Sequence, residues 1–290
     1  DKLMKEHRLK IRLVGVAGSR SMLLEREGLN PDTVVNQLEK DGVAGSINDF
    51  KNRIIEMNVA NSVFVDCTAS EDVASIYQSL LEANVSVVTA NKIASSSSYA
   101  AYNRLKSTAR EKGVKFYFET NVGAGLPIIA PINDLVRSGD KIVRLEAVVS
   151  GTLNYIVNTL SEERPLSAVI AEAREKGFSE PDPRVDLSGT DVVRKLLILA
   201  RESGYVLEKE DVEVEPFVPA EYLKLPSLDV FMDRVAELNA SFEERRQKLE
   251  SEGKRLRYAA RLSDGKARVG LIEVEKNHPF YDLEGSNNII

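Results

Sequence analysis

Residues 62–92, SVFVDCTASEDVASIYQSLLEANVSVVTANK, decide the fold. Two β-branched runs, Ser62–Cys67 and Val85–Ala90, enclose Glu71–Ala83, whose apolar residues recur at three-to-four spacing; this reads as strand, crossover helix, strand. Such a unit returns its second strand parallel to its first, so a parallel sheet is expected. Working outward, IRLVGV (Ile11–Val16) and VKFYFET (Val114–Thr120) read as further strands, and Asp49–Asn58 and Tyr99–Lys112 as crossover helices. The first half is therefore expected to be an α/β, Rossmann-like domain with a doubly wound sheet.

At Gly123–Pro127 the pattern changes. A glycine-rich turn leads into a helix with Pro127 near its first turn, followed by a long strand over Ile142–Ser150. A chain of 290 residues suits two domains, expected at 1–126 and 127–290. The second contains helical patterns at Leu153–Glu162, Leu166–Lys176, Thr190–Ser203 and Val235–Glu252. It ends with RLRYAARLS and KARVGLIEVE flanking Asp264 and Gly265, a two-residue connection that favours a hairpin, so this half is α+β.

A net charge of -6 and a pI near 5.3 argue against a protein that neutralises phosphate backbones and favour a small-molecule partner. Cys67 is the only cysteine, and no 18-residue apolar span or cleavable signal is visible, so a cytoplasmic location is expected. His7 and His278 stand at opposite ends without metal-ligand spacing, which argues against zinc enzymes and triad hydrolases.

The stretch richest in chemistry is Gly177–Glu202, GFSEPDPRVDLSGTDVVRKLLILARE. Pro181 and Pro183 stiffen a loop that presents Glu180, Asp182 and Asp186, and the helix after it places Asp191 and Lys195 four residues apart on one face. Val192, Ile198 and Leu199 flank Lys195, whereas Arg194 and Arg201 fall on what reads as the wet stripe. Two readings stay open: a surface ion pair contributing a few tenths of a kcal/mol, or a partly buried lysine beside a carboxylate that serves as proton donor.

Thr68 and Lys92 follow strands of the parallel sheet and would face one crevice, where ligands of such folds bind; an ordinary exposed lysine is the alternative. ETNVGAGLP (Glu119–Pro127) could cradle an anion, but position 128 is Ile, so G-x-G-x-x-G fails and a close-packing turn is the alternative. If Ile11–Val16 is the second strand of a dinucleotide fold, an NAD enzyme should show an acid near its end; Ala17-Gly18-Ser19-Arg20 instead suits the extra phosphate of NADP, with Arg20 as the cation.

Together, VDCTAS, VVTANK, TNVGAGLPII, SGTLNYI and EPDPRVDLSGTDVVRKLLILARE resemble homoserine dehydrogenase. VEPFVPAEY and LRYAARL make the chain similar to the part fused to aspartokinase in bifunctional enzymes. The resemblance implies reversible NADP-dependent reduction of L-aspartate 4-semialdehyde to L-homoserine, in threonine and methionine biosynthesis. It implies Lys195 as proton donor adjusted by Asp191, and Lys92 as a cofactor-binding lysine with a part in proton transfer. Glu180, Asp186 and Thr152 would hold the substrate, Thr68 would contact the cofactor, and Glu119 with the backbone oxygens of Val122, Ala124 and Leu126 would bind sodium. A homodimer formed through the second domain is implied as well.

The family's first strand with its glycine-rich phosphate turn would precede Asp1, and a closing segment would follow Ile290. Without that turn the chain as given is expected to bind NADP weakly or not at all. Two rivals remain: a non-catalytic dimerisation or regulatory module, and an NADP-linked oxidoreductase acting on another amino-acid aldehyde.

Overall fold

A computed structural model describes residues 2–290. The chain divides into two compact units, Asp1–Ala94 with Ala100–Phe118, and Ser95–Tyr99 with Glu119–Ile290.

In the first unit, strands β4 (Val63–Asp66), β5 (Ser86–Thr89) and β6 (Phe116–Tyr117) form the expected parallel sheet, with Val63 opposite Ser86 and Val87 opposite Phe116. Alternation sends Phe64, Val87 and Phe116 into a core with Tyr77, Leu80, Leu81, Tyr102 and Leu105, supplied by the helices Tyr77–Glu82 and Tyr99–Glu111. Val63, Val65, Val88 and Tyr117 point the other way and are exposed, so among the described residues helices cover one face only, not both as in a doubly wound sheet. The expected helix Glu71–Ala83 is broken at Ile76 into Glu71–Ser75 and Tyr77–Glu82.

The run expected as a parallel strand at Ile11–Val16 is placed differently. It becomes β1 (Leu13–Ala17), paired antiparallel with β2 (Ser21–Leu29), which pairs with β3 (Val43–Ala44) in a separate sheet. Three residues, Gly18–Arg20, connect β1 to β2, far fewer than a parallel crossover requires. The helix Ile47–Met57 opens with a capping box between Ser46 and Asp49, and its Phe50 ring packs against Phe64 of the parallel sheet.

In the second unit, β7 (Arg144–Ala147), β8 (Val212–Val214), β9 (Lys254–Ser263) and β10 (Lys266–Glu275) form a mixed sheet in the order β7-β9-β10-β8. The hairpin falls where expected: Asp264 and Gly265 both take positive φ, 50° and 79°, as its two-residue turn requires. The helix Thr190–Glu202 forms the centre of the core, with Val192, Val193 and Leu196–Ala200 buried. Arg194 is exposed, as expected, but Arg201 is 4% exposed and does not lie on a wet stripe. The chain after the helix folds back over it, so that Arg201 donates to Leu207 O and pairs with Glu208 at 3.2 Å. Among the described residues no helix is long and apolar enough to cross a membrane.

Candidate active site

The double-proline loop and the buried helix position the second unit's polar cluster. Asp182 and Arg184 lock the loop's turn: Arg184 Nε lies 2.9 Å from Asp182 Oδ1, and Arg184 Nη1 donates to Leu225 O at 2.6 Å. The loop ends at Gly189, where φ is 73° and an added Cβ would lie 2.1 Å from the Tyr258 hydroxyl oxygen. Glycine is required there twice over, by backbone conformation and by space.

One turn into the helix, Lys195 Nζ pairs with Asp191 at 2.9 Å and donates to Val149 O at 2.6 Å, with its side chain 13% exposed. An ammonium has three donors, so one N–H remains beyond these two contacts. Val149 lies just before the helix Gly151–Thr159, whose N-cap Ser150 accepts from Leu153 N–H. Thr152 on that helix sits 3.1 Å from Asp186 Oδ1 and 2.5 Å from the Phe178 carbonyl oxygen. Asp186 Oδ2 accepts from Glu180 N–H at 2.8 Å. Burial pushes the Asp186 carboxyl above the usual carboxylate range, against those two hydrogen bonds.

Thr152, Phe178, Asp186, Asp191, Lys195 and Ser286 line a cavity of about 360 Å³, a size that suits a small polar metabolite. Two carboxylates and one ammonium face it, an arrangement complementary to a ligand carrying a cationic group and a polarisable oxygen. Of the residues expected around a substrate, the structure thus brings together Lys195, Asp191, Asp186 and Thr152. Glu180 is exposed and enters through its backbone N–H. Sequence reasoning missed Ser286, which stands in a polar turn carrying no motif.

In the first unit, Thr68 and Lys92 follow β4 and β5 as expected, and a frame that the motif reading passed over holds both loops. Asp66, 2% exposed, accepts from Thr68 N–H at 2.7 Å, from Asn91 Nδ2 at 3.2 Å and from the Tyr77 hydroxyl. Asn91 also donates to Ser70 O at 2.9 Å, and its Oδ1 accepts from Ile93 N–H at 3.0 Å, next to Lys92 at the start of a helical turn. Burial and the Asp66 carboxylate push the Tyr77 hydroxyl well above the usual phenol range. Arg20 is exposed in the turn between β1 and β2, on the antiparallel sheet.

The turn after β6 is ordered by Glu119. Its carboxylate accepts from the N–H groups of Ile128, Ile129 and Ala130, the last two at 2.7 and 2.9 Å, where the helix Ile129–Arg137 begins. Between them lie Val122, Ala124 at φ 52°, and Leu126, whose N–H donates to Gly123 O. Among the described residues no three His, Cys, Asp or Glu side chains cluster as metal ligands.

Residues 127–290 match the family described as homoserine dehydrogenase, and residues 1–119 match homoserine dehydrogenase, NAD binding domain. The chain is 43% identical over 282 residues to a bifunctional aspartokinase/homoserine dehydrogenase of Haemophilus influenzae, covering 97% of this chain and 35% of that protein. It thus spans about a third of that relative's length. A Candida auris protein of unknown function superposes with a TM-score of 0.89 at 30% identity, covering 97% of this chain and 82% of that one. A hyperthermophilic archaeal homoserine dehydrogenase in complex with NADPH shares the fold, at a TM-score of 0.70 and 21% identity, over 96% of this chain and 78% of its own.

Proposed function

Because this chain belongs to the homoserine dehydrogenase family, we propose that it catalyses the reversible NADP-dependent reduction of L-aspartate 4-semialdehyde to L-homoserine. The observation that carries this reading is the Lys195 ammonium, fixed between Asp191 and Val149 O at the edge of a cavity that also contains Asp186 and Thr152.

NADPH, when bound, would supply the hydride that makes the aldehyde oxygen a developing alkoxide. The remaining N–H of Lys195 stabilises that charge and delivers the proton, an effect typically worth ~10²- to 10⁴-fold. In the oxidative direction the same nitrogen takes the hydroxyl proton, and Asp191 holds the side chain in place. Asp186 and Glu180 provide carboxylates for the substrate amino group, and Thr152 provides a hydroxyl. Thr68 and Lys92, on loops tied to Asp66, together with Arg20 would hold the cofactor; a hydroxyl and two cations suit a phosphorylated dinucleotide. Lys92 also takes part in proton transfer.

Glu119 and the carbonyls of Val122, Ala124 and Leu126 form an all-oxygen donor set suited to sodium. Glu119 Oε2 accepts from Ala130 N–H, and a carboxylate oxygen has a second lone pair that a cation can share. Activity retained in potassium or choline salts to the same level as in sodium salts would rule that site out.

The Haemophilus relative is bifunctional, and we extend its aspartokinase fusion, together with homodimerisation through the second unit, to this protein as proposals. A single exposed cysteine, Cys67, suits the reducing cytoplasm. The decisive assay is homoserine-dependent reduction of NADP by the protein as encoded, with substrate consumption and aldehyde formation measured together. No turnover with homoserine, or equal turnover with unrelated amino alcohols, would reject this reading.

A further inference from the structure

The segment after β10 is held down by contacts that the proposed reaction does not use. Arg257 is 2% exposed, and its guanidinium donates to backbone carbonyls: Nε to Phe280 O at 2.8 Å, and Nη2 to Tyr281 O and Leu283 O at 2.8 and 3.1 Å. Burial lowers its pKa to about 10. Phe280, Tyr281, Leu283 and Ile289 pack on Val148, Ala259, Ile272 and Val274 of the sheet side, and Ile289 bridges Val148 with backbone hydrogen bonds of 2.9 and 3.0 Å.

Between these two anchorages the chain makes a turn over the helix Gly151–Thr159. Asn154, 1% exposed, donates through Nδ2 to Gly285 O and Asn287 O, both at 3.1 Å, and Asn158 donates to Gly285 O at 3.0 Å. Asn154 and Asn158 are one helical turn apart, so a single helix face carries both clamps. The carbonyls they hold lie on either side of Ser286, which lines the cavity together with Thr152, Asp186 and Lys195. The approach is close: a Cβ added at Gly151 would lie 3.0 Å from Ser286 O. One short helix therefore supplies Thr152 to the pocket and sets the distance of the opposing wall.

We propose that the Ser286 turn, fixed by Asn154, is the wall that limits the length of amino-acid side chain the pocket accepts. Ser286 is a specificity-determining residue and Asn154 a positioning residue. The inference rests on the proposed reaction. A four-carbon amino alcohol would fill the space between the wall and the Lys195 ammonium, and a five-carbon homologue, 2-amino-5-hydroxypentanoate, would meet the wall.

The test compares NADP reduction with homoserine and with the five-carbon homologue in the protein as encoded. Ser286→Leu, at an exposed position where folding is not at risk, narrows the pocket; the homoserine KM should rise about tenfold or more, in line with the ~10- to 200-fold cost of a mismatched methylene, while kcat changes far less. Asn154→Ala releases the turn. Amide exchange should then report loss of protection over residues 285–289, and the preference for homoserine over the homologue should shrink several-fold. An unchanged KM in Ser286→Leu, or a released turn with unchanged preference, overturns the inference while the reaction stands. A wild-type protein that does not oxidise homoserine overturns the reaction itself, and this inference with it.

Discussion

Lys195 Nζ lies 2.6 Å from the carbonyl oxygen of Val149, two residues before the helix that carries Thr152. The ammonium is thereby held by backbone as well as by the Asp191 side chain, and its position does not depend on a flexible partner alone.

Lys195→Ala should therefore leave the fold intact and remove the proton donor. Homoserine-dependent NADP reduction should fall by ~10²- to 10⁴-fold, with the loss mainly in kcat. Stability should fall by no more than about 1–3 kcal/mol, the cost of leaving Val149 O unpaired. A variant that folds like the wild type and retains a tenth of its kcat would remove Lys195 from the chemistry.

Gly189→Ala tests how the helix is seated. A Cβ would sit 2.1 Å from the Tyr258 hydroxyl oxygen on a backbone with φ of 73°, and Tyr258 donates that hydroxyl to Glu215 O at 2.9 Å. Overpacking and left-handed strain together should cost about 2–4 kcal/mol in denaturant unfolding. The double variant Gly189→Ala/Tyr258→Phe should recover part of that loss, because the closest clash is removed while the strain and a tight 3.0 Å approach to the ring carbon persist. A strictly additive double variant would show that the hydroxyl is not what the added methyl group meets.

The two units differ in how far their sequence can be read. Period-2 runs at Val63–Asp66 and Ser86–Thr89 and the Asp264-Gly265 turn carry local signals, and each becomes what its pattern dictates. Lys195 and Asp191 are legible because helical spacing alone puts both on one face beside apolar neighbours. Arg201 defeats the same reasoning because its burial comes from Leu207 and Glu208, whose return over the helix leaves no trace in the helix's own periodicity. The pairing of β1 with β2 is set by a three-residue connection, and β-branched content does not distinguish parallel from antiparallel partners. Asp66 stays hidden for a related reason: its partners Tyr77 and Asn91 are 11 and 25 residues away and meet only in the folded sheet.

Asp66→Asn should expose that frame's function. Replacing a buried carboxylate that accepts from Thr68, Tyr77 and Asn91 puts an amide N–H among donors, and should cost about 1–3 kcal/mol of stability. Because Thr68 and the Asn91–Lys92 turn lose a common anchor, the KM for NADP should rise more than the KM for homoserine. Equal effects on both substrates would confine Asp66 to a role in stability.

Acid should loosen the second unit through Glu172. Its carboxylate accepts from Tyr155 at 2.7 Å and pairs with Arg164 and Lys176, which lower its pKa to about 2 from an ordinary 4.5, Lys176 contributing most. A depressed folded value means that the folded state holds this proton less tightly than the unfolded chain. The stabilisation is therefore complete above about pH 4.5 and is lost as the pH falls toward 2. Glu172→Gln should lower the melting temperature at pH 7, and the difference from wild type should close across that window and shrink in high salt, because all three partners are solvent-accessible. Tyr155 packs on Phe178 with ring centroids 4.9 Å apart, and Phe178 lines the cavity, so the variant should also weaken homoserine binding at neutral pH. If the difference in melting temperature stays constant from pH 7 to pH 2, the stabilisation attributed to the Glu172 charge comes from packing instead.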